Sequence, residues 1–441
     1  MVVSSILHSK RHLKRFVFGM LAVEAALFTF MRVEYGYYGS PLLLYSVGVL
    51  ACLATYMLTR YHGWGKRSVS TPLAYPSRLA IFCGIIMGLG LCSVPWHSIL
   101  KNYGIAIASS DIIPALSIYT KRFLANEEIY TPFTKELGYF ALPTYLPATW
   151  VPYIIPEWLQ IDYRWMSILI LLIGIGFYQK VVARLRLSFY PTWVLSFLPF
   201  ALTYATMKTE PAMFGYTVEA MIIGYYFILL SGILLRSWPM QAIGLLLCLL
   251  SRFSLVLWVP LFFALVFFQE SPRRAVRVAA VVLLGIIGCY IIPFLSHDWE
   301  MFMRVQESYT EVAVGEWTHL NEQGLPFHLY NGIGFANLFY QFGTGELIER
   351  VRALKTLHLA LLLLVVAGSA ILYWRQQHPR TDYRTYAVLG LKLYLITFYA
   401  FLQVPYAYLA SVGIFASMFL VLLVADIDDE PAGYDTRSAL Q

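Results

Sequence analysis

The chain has 441 residues, 59% hydrophobic and 13% charged, with a formal net charge of +7. Soluble domains carry about a quarter charged residues, whereas apolar runs of about 20 residues recur here along the whole length, so the composition excludes a soluble enzyme. The runs are continuous rather than alternating, which argues against a membrane β-barrel, and the excess cations fall in loops on one side of the predicted spans, which gives no reason to expect nucleic acid as a partner.

The expected fold is an all-α polytopic membrane protein of about twelve helices. The basic start, "MVVSSILHSKRHLKRF", precedes a long apolar run without a small-residue cleavage site. It predicts an anchor with a cytoplasmic N-terminus rather than a signal peptide. Spans are predicted at about 16–32, 41–59 and 79–97, and the loop with Arg60, Lys66, Arg67 and Arg78 is placed in the cytoplasm. The stretch 98–162 is then outside. Within it, "YFALPTYLPATWVPYIIPEWL" is apolar but carries Pro143, Pro147, Pro152 and Pro156. Each interior proline removes a helix hydrogen bond that lipid cannot replace. The segment therefore reads as a juxtamembrane or re-entrant piece.

Further spans are predicted at about 163–179, 188–206 and 215–235. The apolar stretch 240–268 is too long for one span and too short for two. Its basic flanks predict two short helices that meet near "LLSRFS", with Arg252 at the tip. A span at about 275–295 leads to a second outer loop, about 297–352, and spans follow at about 353–374, 384–402 and 405–425. Residues 1–78 then form two additional N-terminal spans, 79–425 the main membrane domain and 426–441 a short cytoplasmic tail. The five cysteines all fall in apolar runs, at spacings that suit neither a disulfide framework nor a zinc site.

Candidate chemistry lies in the outer loops. In "SSDIIPALSIYTKRFL", apolar positions recur at helical spacing and predict a surface helix. Asp111 is then either its N-cap or a functional carboxylate. Lys121, Arg122, Glu127 and Glu128 are ordinarily a solvated face, with phosphate binding by the two cations as the functional reading. Tyr130 and Tyr145 are belt residues or part of a sugar platform. Glu210 sits in an outer loop. Glu219 and Arg252 are ions at membrane depth, functional by default, with a mutual structural pair as the bland alternative. Glu24 and Lys392 are weaker candidates of the same kind. His319 and His328 offer acid–base groups, but their separation matches no metal-ligand motif.

The order of these features resembles the GT-C superfamily of multi-spanning glycosyltransferases, and within it the bacterial mannosyltransferases that use polyprenyl-phosphate sugars. A span climbs outward, a lone Asp opens a surface helix, and "NEEIYTP" leads to "PTYLPATWVPYIIP" and an inward span. The later "GLLLCLLSRFSLVLWVPLFF" and the aromatic "FYAFLQVPYAYL" are also similar. No Asp-x-Asp pair occurs in the outer loops, and "PTYLP" stands in place of a double proline. The resemblance implies transfer of a sugar, mannose favoured, from a polyprenyl-phosphate donor to a lipid-linked or glycan acceptor, with inversion. Asp111 would be the base. Arg252, with Lys121 and Arg122 behind it, would hold the donor phosphate. Glu127, Glu128, Tyr130, Tyr145, Glu210, Glu219, His319 and His328 remain for sugar or acceptor. The implied setting is a bacterial inner membrane with the site facing the periplasm. A lone Asp calls for no metal cofactor, although Glu127 or Glu128 meeting it in space would reopen divalent-cation dependence. The alternative is a transporter or flippase for lipid-linked saccharide, against which stands the lack of repeated halves.

Overall fold

The computed structural model describes residues 10–30, 34–62, 75–134, 136–375 and 382–427. Among these residues the chain is helical, with two isolated bridges and no strand. The helices are α1 (Lys10–Phe30), α2 (Gly36–His62), α3 (Tyr75–Asn102), α4 (Ile112–Leu124), α5 (Pro147–Trp150), α6 (Ile154–Leu159), α7 (Arg164–Leu185), α8 (Phe189–Thr209), α9 (Pro211–Tyr216) and α10 (Glu219–Leu234). They continue as α11 (Trp238–Leu249), α12 (Val259–Gln269), α13 (Pro272–Ile286), α14 (Trp299–Thr318), α15 (Phe327–Asn331), α16 (Ala336–Phe342), α17 (Leu347–Arg375), α18 (Tyr383–Ala400) and α19 (Ser411–Ala425).

Among the described residues six segments are long and apolar enough to cross a membrane: Gly36–Arg60, Ser77–Asn102, Arg164–Leu185, Pro272–Ile291, Leu347–Arg375 and Ala407–Ala425. Helices α10, α11 and α12 are apolar but shorter. Every residue of α10 is buried, as expected for a helix that is hydrophobic all round. It packs on α7, α11 and α19 and forms the centre of the bundle. The α7–α10 crossing is close because Gly174 faces Gly224. A Cβ on Gly224 would lie 2.5 Å from the Ile170 carbonyl oxygen, so any side chain there would force the helices apart.

The proline-punctuated segment is not a span. It divides into α5, a 3₁₀ turn at Val151–Tyr153, and α6. Helices α11 and α12 have 12 and 11 residues, about 18 and 16 Å of rise against a hydrocarbon core of about 30 Å. Their junction rests on the proline segment: the Ala148 amide donates to Leu250 O (2.9 Å) and Thr149 Oγ1 donates to Ser251 O (3.0 Å). Arg252 is extended at that junction.

The basic loops meet at the opposite end of the bundle. Arg236 pairs with Asp382 (2.5 Å), Arg384 pairs with Asp382 (2.9 Å), and Arg274 pairs with Glu270. Three loops distant in sequence thus share one face, as their common charge predicts.

The last span, Ala407–Ala425, falls where expected, but its entry is irregular: α18 ends at Ala400, a non-helical stretch passes Pro405, and α19 begins at Ser411 after a 3₁₀ turn. The freed backbone groups find partners in the long loop between α13 and α17. The Ile333 amide donates to Pro405 O (2.9 Å), the Phe335 amide to Ala400 O (2.8 Å) and Trp317 Nε1 to Gln403 O (2.8 Å). This contact explains the glycine of "NGIGF": a Cβ on Gly332 would lie 2.0 Å from the Pro405 oxygen.

Candidate active site

Asp111 precedes α4 and makes no side-chain cap. The Ile112 amide turns instead to Ser110 Oγ (3.4 Å), and the Asp111 carboxylate accepts a hydrogen bond from the Tyr139 hydroxyl. The capping alternative is thereby displaced in geometry. A bond to a neutral donor leaves a carboxylate oxygen lone pairs to spare. Burial pushes the Tyr139 phenol up, and its bond to the Asp111 carboxylate adds to that shift. Tyr139 therefore stays protonated and remains a donor.

Two phenols from other segments lie within the field of this carboxylate. Tyr145 comes from the proline segment. Burial raises its phenol, Asp111 raises it further and Arg252 opposes both, so Tyr145 lies within the fields of both charges. Tyr406 comes from the break before α19. Its phenol is raised by burial first, then by Glu316 and Asp111. Glu316 stands near the end of α14, and His328 Nε2 lies 3.5 Å from Glu316 Oε2. The His319 and His328 rings are 6.1 Å apart, and the His328 and Tyr406 rings 4.7 Å. Burial lowers the His328 imidazole, although Glu316 pulls the other way.

Arg252 and Glu219 form the pair that the sequence offered as the bland alternative. Arg252 Nη1 donates to Glu219 Oε2 at 2.9 Å, and Nη2 donates to Oε1. Glu219 is fully buried, while the Arg252 side chain keeps 23% of its surface exposed. A guanidinium bound end-on in this way has three N–H donors left. The Tyr399 phenol stands beside them.

The other phosphate candidates lie elsewhere. Helix α4 has 13 residues, about 20 Å of rise, which carries Lys121 and Arg122, in its last turn, away from Asp111. Arg122 is buried and committed to its own loop. It pairs with Glu136 Oε1 (2.6 Å) and donates to Thr131 O (2.8 Å), Thr131 Oγ1 (2.7 Å) and Ile129 O (3.3 Å). Its guanidinium carbon also stands 4.9 Å from the Phe133 ring centroid. Lys121 is exposed. Arg122→Met is expected to speed amide hydrogen exchange across 126–134 by on the order of tenfold or more, because charge-assisted bonds to the loop are lost. Lys121→Met should leave that exchange unchanged.

Glu127 and Glu128 are also at the far end of α4, so neither joins Asp111. They line an open cleft of about 600 Å³ with Tyr130, Phe294, His297 and Asp298, a volume within the usual range for ligand clefts. Tyr130 is held from both sides. Its hydroxyl donates to Tyr145 O (3.0 Å) and accepts from Trp150 Nε1 (3.1 Å). Tyr130 and Phe294 also line a smaller cavity bounded by Tyr145 and Phe253, so these two rings stand between the cleft and that cavity. Glu210 caps neither neighbouring helix with its side chain. It joins α8 to α9 on the Tyr103 side.

Glu316, Tyr139 and Tyr406 were missed by sequence reasoning. Only Glu316 left a signal, its three-residue spacing to His319. Comparison of the chain with protein-family models, with curated proteins and with solved structures finds no match.

Proposed function

We propose that the protein is an integral membrane glycosyltransferase acting at the bundle end opposite the basic loops. In this reading the remaining helices, α1, α8, α10, α11, α12 and α18, complete about twelve membrane elements. The basic end faces the cytoplasm, and Asp111 faces the exterior or periplasm of a bacterial inner membrane. The observation that carries the proposal is a partly exposed carboxylate that caps no helix, in the same electrostatic field as a partly exposed arginine, at one end of an apolar bundle.

The donor is a polyprenyl-phosphate sugar, mannose favoured, whose isoprenoid stays in lipid. Asp111 takes the proton of an acceptor hydroxyl as that oxygen attacks the anomeric carbon. The new C–O bond forms as the bond from the anomeric carbon to the phosphate oxygen breaks, with inversion, and the phosphate leaves with the electron pair. Arg252, oriented by Glu219, meets the developing phosphate charge with its remaining donors. Tyr139 orients the base. The cleft beside Glu127 and Glu128 is assigned to a glycan or glycolipid acceptor.

The test uses the purified full chain in nanodiscs, a panel of radiolabelled polyprenyl-phosphate sugars and a membrane-lipid extract. Label should pass to an acceptor from one donor in the panel. Failure of every donor would count against the reading. A flippase for lipid-linked saccharide is the second reading, favoured by one observation: a buried acid–base pair, Glu24 with Lys392, inside the bundle.

A further inference from the structure

Glu316 and His319 are three residues apart where α14 ends, the spacing by which Glu-x-x-His pairs present both side chains to one metal. His328 reaches them through a tight turn. The Asn321 side chain accepts from the Gln323 and Leu325 amides, each at 3.0 Å. Gly324 supplies the left-handed residue, with φ +73°. The Phe327 amide then closes on His319 O at 2.9 Å. As a result, one donor atom from each of Glu316, His319 and His328 lies within 4.8 Å of the others.

Donor atoms around a tetrahedral zinc ion are about 3.3 Å apart, given metal–ligand distances of about 2.0–2.1 Å. The Glu316–His328 separation of 3.5 Å already fits, and a side-chain rotation brings in His319, which is exposed. Glu316 Oε2 is buried with His328 Nε2 facing it at 3.5 Å, and a cation held between them would draw on a lone pair of each. Two imidazoles and one carboxylate suit zinc or a similar transition ion rather than magnesium or calcium, which prefer all-oxygen shells.

We propose that Glu316, His319 and His328 bind a divalent transition metal ion, zinc in class, at the outer end of the bundle. Three protein donors leave a coordination position open, available to water or to an anionic oxygen. The Tyr406 ring packs on His328, with centroids 4.7 Å apart, which places a phenol beside the site. The metal site is independent of the proposed sugar transfer and stands or falls without it.

The test is metal binding by the full-length protein in detergent, stripped with chelator and titrated with zinc against a chromogenic competitor. About one zinc per chain is expected, with a rise in melting temperature. His319→Ala and His328→Ala should each weaken binding by more than about 100-fold, and Tyr406→Phe, an outer partner of the carboxylate, by about tenfold. Cobalt in place of zinc should give the visible absorption of a tetrahedral ion, absent in His319→Ala. His319 is exposed at a helix end, so that variant tests binding without disturbing the core. No stoichiometric binding by the wild type would overturn the proposal. So would equal affinity in a His319→Ala variant that elutes as a single species.

Discussion

Replacing Asp111 by Asn is expected to cut sugar transfer on the order of 10²–10⁴-fold, the usual contribution of a positioned base, while donor binding and folding survive. The substitution keeps shape and removes charge. A helix cap would tolerate it, since Asn caps as well as Asp, and here the side chain caps nothing. The Asn carbonyl oxygen can still accept the Tyr139 hydroxyl. A structural role therefore predicts near-normal rates, and a basic role predicts collapse of turnover. Initial rates at saturating donor, alongside a donor-binding isotherm, separate the two.

The second large effect is expected deep in the bundle. Lys392 Nζ lies 2.5 Å from Glu24 Oε1 and donates to Gly413 O at 2.8 Å, and Ser417 Oγ donates to Glu24 Oε2 at 2.5 Å. Both ions are essentially unexposed, at 0% and 1%. Gly48 of α2 passes so close that a Cβ there would stand 2.8 Å from Glu24 Oε1. The pair thus fastens α1 to α18 and α19 beneath α2. Lys392→Met strands a buried carboxylate and should cost roughly 3–5 kcal/mol, whereas removing both charges together is often nearly neutral. The melting temperature should therefore fall sharply in Lys392→Met and largely recover in Glu24→Gln/Lys392→Met. The double variant also divides the two functional readings. A structural staple predicts retained activity once folding is restored. A proton-coupled transporter that uses the pair predicts a folded, inactive protein.

The fold was legible where the physics is local. Runs of apolar residues mark the long helices, prolines mark the broken segment at 143–156, and the basic flanks of 240–268 place Arg252 at a junction of two short helices. The expected count of about twelve spans goes beyond the six segments that length and composition support among the described residues: α10, α11 and α12 are apolar but shorter, and α1, α8 and α18, though long enough, are not among the six. The site was legible only in part. Asp111 and Arg252 stand out as charges in apolar company. Tyr139 is 28 residues from Asp111, with no periodicity to link them. Tyr406 sits in a break concealed by its apolar neighbours, since one proline within "QVPYAYL" does not reveal that α18 and the second outer loop share backbone bonds. Arg122 shows the converse. A cation on a surface helix suggests a ligand, yet its loop folds back and consumes the guanidinium.

The most direct measurement uses proteoliposomes in which a radiolabelled polyprenyl-phosphate sugar, the donor that binds the purified chain, is present with acceptor lipid. The fate of the label is then followed by extraction and chromatography, and its leaflet by accessibility to a membrane-impermeant hydrolase. Covalent transfer to acceptor with release of polyprenyl phosphate, lost in Asp111→Asn, is the predicted result. Movement of the intact donor between leaflets with no transfer would contradict the account and make the protein a carrier of lipid-linked sugar.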